Sequence, residues 1–217
     1  MFDVQFARRQ MIEQQVRAWE VLDLKVLDAL GAVPREEYAP ADYRELAFAD
    51  TSVPLAHGQF MLAPKLEGRI LQALEIQPHE HALEVGTGTG FFAACIGRLA
   101  RSVRTIDLYA DFVVAAAANH ARLGVHNVTA ETADGMHLAE REAYDVIALT
   151  GSLPVYDARF ERALRVGGRL FVCVGAGPLL EAWRITRTGT ADFARESLFE
   201  TGMAPLVHAP ESPRFVF

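Results

Sequence analysis

The chain has 217 residues, 51% hydrophobic and 23% charged, with a formal charge of -7 at pH 7. This composition describes one compact unit with a sizeable core. The 21 basic residues are scattered among 28 acids, which argues against a partner with a phosphate backbone. Cys95 and Cys173 each sit inside an apolar run, so neither a disulfide framework nor a zinc knuckle is expected. Residues 1–9 lack a basic patch followed by an apolar core, and no apolar run approaches the roughly 18 residues of a spanning helix. The expectation is a cytoplasmic protein that partners neither nucleic acid nor membrane.

In chain order, Val4 to Trp19 carries Phe6, Met11, Ile12, Val16 and Trp19 at near-helical spacing, and Leu22 to Leu30 continues the pattern up to Pro34. Between Val33 and Pro64 lie Pro34, Pro40, Pro54 and Pro64 without sustained periodicity, which predicts an ordered loop region. Pro64 suits a first helical turn, and Leu66, Ile70, Leu71 and Leu74 share a face, so a helix is expected over Pro64 to Glu75. The period then changes. Apolar runs at His81 to Val85, Val103 to Ile106, Val125 to Thr129, Val146 to Thr150 and Leu170 to Val174 alternate with helical stretches at Phe91 to Leu99, Asp111 to Leu123 and Ala158 to Leu164. Strands alternating with helices imply an α/β fold with a parallel sheet covered on both faces. Trp183 to Thr188 and Phe193 to Phe199 alternate apolar and polar residues, as antiparallel strands closing one edge would.

Three features carry chemistry. Leu83-Glu84-Val85 leads into Gly86-Thr87-Gly88-Thr89-Gly90 and then an alanine-rich helix. Such a turn lets a ligand approach the backbone and meet unpaired N–H groups, which points to a nucleotide-like cofactor. Asp107 ends the next strand, where an acid can accept from ribose hydroxyls. Asp134-Gly135 follows the third, where a carboxylate and flanking amides can meet an adenine edge. Each feature alone has an ordinary structural explanation, but their order is the layout for adenosine lying across the carboxyl ends of the first strands. Glu84, Thr87, Leu108 and Thr150 flank these positions and complete the candidate cofactor set.

The chain resembles the protein-L-isoaspartate O-methyltransferase family over nearly its whole length. The shared landmarks are Val33-Pro34-Arg35, Gly58-Gln59 with Pro64, Leu83 to Gly90, Asp134-Gly135, Tyr144 to Thr150, and Leu164 to Leu170 leading to Val174-Gly175. The resemblance implies a Rossmann-like methyltransferase sheet, mostly parallel and closed by C-terminal antiparallel strands, with S-adenosylmethionine as methyl donor. It implies one methyltransferase unit over 1–217, in which 1–75 covers the active site and 76–217 forms the cofactor-binding core. By position, Gly86, Gly88 and Gly90 shape the methionine pocket, Asp107 holds the ribose, and Asp134 with Gly135 holds the adenine. The methyl acceptor is then a carboxylate on a protein, a peptide or a small molecule.

Three departures stand out. Asp107 replaces the usual Glu, one methylene shorter. Gly151-Ser152 stands where small alanines are usual. Where the family reads Gly-Gln-Thr-Ile-Ser-x-Pro, this chain reads Gly58-Gln59-Phe60-Met61-Leu62-Ala63-Pro64, so the two hydroxyls that flank the acceptor carboxylate become Phe60 and Leu62. An unsatisfied polar group costs about 1–3 kcal/mol, so this loop predicts weak isoaspartyl methylation or a more apolar acceptor. His57 is the nearest histidine and a candidate base if the acceptor were a hydroxyl or amine. His79, His81, His120, His126, His137 and His208 show no metal-ligand spacing, and no metal is expected. Two other readings stay open: a non-catalytic S-adenosylmethionine-binding protein that kept the pocket, and a nicotinamide-dependent oxidoreductase, which leaves Asp134-Gly135 and the leading helices unexplained.

Overall fold

The computed structural model describes residues 3–211, so the first two residues of the 1–9 stretch lie outside it. Asp3 caps helix α1 (Val4–Met11) by accepting from the Phe6 amide at 3.0 Å. The helical path continues to Trp19 as expected, but as a π-turn over Ile12–Val16 and a 3-10 turn over Arg17–Trp19, stopped by Glu20 at φ 62°. Helix α2 (Leu24–Ala32) starts two residues after Leu22 because Asp23 takes the capping position, accepting from the Lys25 amide. A short ribbon of β1 (Val53–Pro54) and β2 (Phe60–Met61) follows, and then α3 (Pro64–Leu74) with Pro64 in its first turn.

The core strands are β3 (His81–Val85), β4 (Ser102–Asp107), β5 (Val128–Thr132), β6 (Tyr144–Leu149), β7 (Leu164–Val174), β8 (Leu180–Arg187) and β9 (Phe193–Thr201). They form one sheet in the order β5-β4-β3-β6-β7-β8-β9, parallel through β7 and antiparallel from β7 to β9. Helices α4 (Phe91–Leu99), α5 (Ala110–Arg122) and α6 (Arg159–Arg162) lie in the crossovers. The alternation of buried side chains shows how both sheet faces are covered. Ala82, Val103, Val146 and Ala148 join a cluster with Leu30, Leu71 and Ile96 of α2, α3 and α4. Leu83, Ile106, Ile147 and Leu149 point the other way, into a cluster with Phe160 of α6.

Two expected elements are corrected. The strand expected over Val125 to Thr129 is β5, three residues later. Val125 still closes helix α5 through its amide bond to the His120 carbonyl, Asn127 bonds the Gly97 carbonyl, and pairing with β4 begins at Val128 opposite Val103. The helix expected over Ala158 to Leu164 shrinks to α6, because Leu164 pairs with Tyr144 and starts β7. Among the described residues no helix is long and apolar enough to cross a membrane.

Candidate active site

Strand order reverses between β3 and β6, the place where open parallel sheets take ligands beyond their strand ends. A cavity of about 450 Å³ lies there. Its floor is Gly86 and Gly88 after β3, Asp107 and Leu108 at β4, Asp134 and Gly135 after β5, and Thr150 and Gly151 after β6. Seven of the ten candidate cofactor positions therefore line one space. Glu84, Thr87 and Gly90 do not.

The glycines divide the work. Gly86 has φ 106°, its amide donates to the Ile106 carbonyl at 2.8 Å, and a Cβ there would collide with the Thr150 hydroxyl oxygen. That hydroxyl is held against the carbonyls of Val85 (3.0 Å) and Gly86 (2.8 Å). Gly90 serves packing instead: a Cβ would sit 2.8 Å from Ala116 and 2.9 Å from His120 Nε2, both on α5. Beneath the turn, the Thr87 and Thr105 hydroxyls lie 2.7 Å apart, and Thr105 donates to Glu84 Oε2 at 2.5 Å. Glu84 is fully buried, its Oε1 has no partner, and burial pushes its carboxyl well above the usual range.

The two downstream acids are fixed in place. Asp107 Oδ2 accepts from the Gly88 amide at 2.9 Å and Oδ1 from the Tyr109 amide at 3.0 Å, so its carboxylate is aimed by backbone. Burial raises its pKa and those amides oppose the rise. Asp134 Oδ1 accepts from the Met136 amide at 2.8 Å, and Oδ2 lies 2.9 Å from Nδ1 of both His137 and His208. Burial pulls this carboxyl up, but the bonds from His208, the Met136 amide and His137 carry it below the usual range.

A strap over residues 52–62 forms the roof, contributing Ser52, Leu55, Gln59, Phe60 and Leu62. Phe60 is half exposed and Leu62 buried. Arg35, fully buried, anchors the strap: Nε donates to the Ala47 carbonyl at 2.7 Å, Nη2 to the Leu62 carbonyl at 2.5 Å, and Nη1 to Glu67 of α3. Its guanidinium lies 4.7 Å from the Phe91 ring centroid. His57 is not in the lining. At φ 56°, its ring stacks on Tyr109 at 4.0 Å and Nε2 meets Asp111 at 3.0 Å, so it latches the strap to the start of α5 and does not stand as a base at the cavity.

One wall has no sequence motif of its own. Met203 to Val207 close the cavity on the β6 side. The Ser152 amide bonds the Ala204 carbonyl (2.8 Å), the Leu206 amide bonds the Ser152 carbonyl (2.9 Å), and Ser152 Oγ bonds the Met203 carbonyl (3.0 Å). A Cβ at Gly151 would lie 2.6 Å from Leu206 Cδ2. The Gly151-Ser152 pair is thus explained: glycine makes room for this segment and serine ties it down. The signal was that departure itself, since the segment has no periodicity. Among the described residues no group of three His, Cys, Asp or Glu side chains is placed to hold a metal ion.

Known proteins resemble this chain in sequence and in fold. A protein-L-isoaspartate O-methyltransferase of Rhodopseudomonas palustris is 38% identical over 201 residues, 92% of this chain and 92% of that protein. One from Koribacter versatilis is 35% identical, covering 92% and 90%. For the fold, a Plasmodium falciparum structure described as a protein-L-isoaspartate O-methyltransferase in complex with S-adenosyl-L-homocysteine superimposes with TM-score 0.78 at 20% identity, over 92% of this chain and 97% of that one. The profile of protein-L-isoaspartate (D-aspartate) O-methyltransferases matches residues 7–210, and the chain belongs to that family.

Proposed function

We propose that this protein is an S-adenosylmethionine-dependent methyltransferase whose acceptor is a carboxylate with an apolar flank, on a peptide or a small acid. The cavity suits the cofactor. Its volume of about 450 Å³ falls in the ~300–1,000 Å³ range of small-molecule sites, and its floor at Gly86 has no space for a side chain. Gly86 and Gly88 would cradle the methionine end, with Thr150 and Leu108 beside them, Asp107 would accept from the ribose, and Asp134 with Gly135 would meet the adenine. When bound, the cofactor supplies an electrophilic sulfonium methyl.

A carboxylate is already nucleophilic at neutral pH, so no general base is required. The tie of His57 to Asp111 fits that requirement. What the chain contributes is positioning, worth roughly 7–11 kcal/mol in well-oriented reactions, and exclusion of water by the strap. The observation that carries the apolar flank of the acceptor is the roof, where Phe60, Leu62 and Leu55 face the polar floor given over to the cofactor. An acceptor with bare polar surroundings would lose hydrogen bonds against that roof, whereas apolar neighbours would bury surface there.

The test is transfer of labelled methyl to isoaspartyl hexapeptides with either valine or serine flanking the isoaspartate, and to hexanoate. Valine flanks or hexanoate should be preferred, and Phe60→Thr with Leu62→Ser should shift preference toward serine flanks. Equal use of both peptides by the wild type would contradict the assignment.

A further inference from the structure

We propose that Ser52 is a positioning residue for the acceptor carboxylate, supplying from the residue just before β1 a hydroxyl that the facing Leu62 lacks; this rests on the carboxylate reading above. The ribbon pairs Val53 with Met61 and Pro54 with Phe60. Carried one residue further, the same antiparallel register sets Ser52 across from Leu62. Side chains alternate faces along a strand, so Ser52, Leu62 and Phe60 share one face while Val53 and Met61 share the other. Val53 and Met61 are core residues; Leu62 is buried with them and also lines the cavity, which Ser52 and Phe60 line from exposed positions.

Two other side-chain donors of the lining are committed. Thr150 Oγ faces two carbonyls of the glycine turn. Gln59 Nε2 donates to the His57 carbonyl at 3.2 Å. Tyr109, also in the lining, is fixed in place by the stacking of its ring on His57 and by its amide, which donates to Asp107. The Ser52 hydroxyl makes no hydrogen bond within the described residues and lies exposed at the cavity rim, next to the apolar surface of Leu62 and Phe60. A hydroxyl beside apolar walls is a specific acceptor subsite: it holds one carboxylate oxygen while the flank of the acceptor packs on the walls.

The experiment compares wild type, Ser52→Ala, Ser52→Thr and the pair Ser52→Ala with Leu62→Ser. Each is assayed at saturating S-adenosylmethionine with the valine-flanked isoaspartyl hexapeptide or hexanoate, whichever the wild type uses better. Calorimetry then follows binding of that probe to enzyme loaded with S-adenosylhomocysteine. Ser52→Ala should raise KM for the probe by about tenfold, the low end for a hydrogen bond to a charged group, and weaken its binding equally. The value of kcat and the affinity for S-adenosylhomocysteine should change less than twofold. Ser52→Thr should behave as wild type, and Leu62→Ser should recover most of the loss by restoring a hydroxyl to the same face. An unchanged KM in Ser52→Ala, or an equal loss of S-adenosylhomocysteine binding, overturns the role of Ser52 and leaves the carboxylate reading standing. No wild-type transfer to any carboxylate probe overturns that reading and this proposal together.

Discussion

Replacing Arg35 with Met removes a buried cation that ties the strap, α3 and α4 together. The guanidinium is fully buried and spends its donors on the Ala47 carbonyl, the Leu62 carbonyl and the Glu67 carboxylate. Deleting one partner of a buried pair costs about 3–5 kcal/mol, because the other charge stays buried without compensation. For a chain of this size 1 kcal/mol moves Tm by about 2–4 °C, so Arg35→Met should lower Tm by roughly 6–20 °C. The double change Arg35→Met with Glu67→Leu should recover most of that loss, since no charge is then stranded. The deficit should also depend on pH. Burial lifts the Glu67 carboxyl to about 7 even though Arg35 pulls it down, and without Arg35 it rises further. A carboxyl raised in the fold keeps a proton that the unfolded chain releases, so its contribution is present at acid pH and lost as pH rises through the folded value. Arg35→Met should therefore unfold at lower urea at pH 8 than at pH 5.5, with a larger gap than wild type. Differential scanning fluorimetry and urea melts at both pH values check this; a Tm shift under 2 °C, or a double change no better than the single, would refute the clamp.

Asp107→Ala should weaken S-adenosylmethionine by about 1–3 kcal/mol, the scale for losing an acceptor to buried hydroxyls, as read by calorimetry. Gly86→Ala should abolish cofactor binding, because its Cβ would collide with Thr150 Oγ, whereas at Gly88 the nearest atom to a new Cβ is Leu55 Cδ1 at 3.5 Å and Gly88→Ala should be milder; titration of both variants decides. Burial raises the Glu84 carboxyl well above its usual range, a contribution lost as pH rises; Glu84→Gln keeps the shape without the titration, so it should flatten the fall in stability between pH 5 and pH 8, measured as urea midpoints.

The sequence made the cofactor floor readable because its requirements are local. A strand, a glycine turn and a helix are contiguous from Leu83 to Ile96, and Asp107 and Asp134 each follow a strand end. The roof was less readable because its contacts are distant in sequence. Arg35 is 27 residues from Leu62 and 32 from Glu67, and nothing in the spacing marks it as fully buried. Gly90 looked like a cofactor residue from its place in the turn, yet the contact that needs glycine there is with α5. Strand β5 was misplaced because Thr129, Glu131 and Thr132 are exposed, so the apolar alternation that marks a strand is weak there, and Val125 pulled the assignment toward the helix end.

The proposed reaction is methyl transfer from S-adenosylmethionine to a carboxylate held beneath an apolar strap. Incorporation of methyl label from S-adenosylmethionine into the valine-flanked isoaspartyl peptide or hexanoate, followed by mild base, tests it most directly. Base should release the label as methanol, the mark of a methyl ester. Label that survives base, or no incorporation by a protein that binds the cofactor in calorimetry, would contradict it.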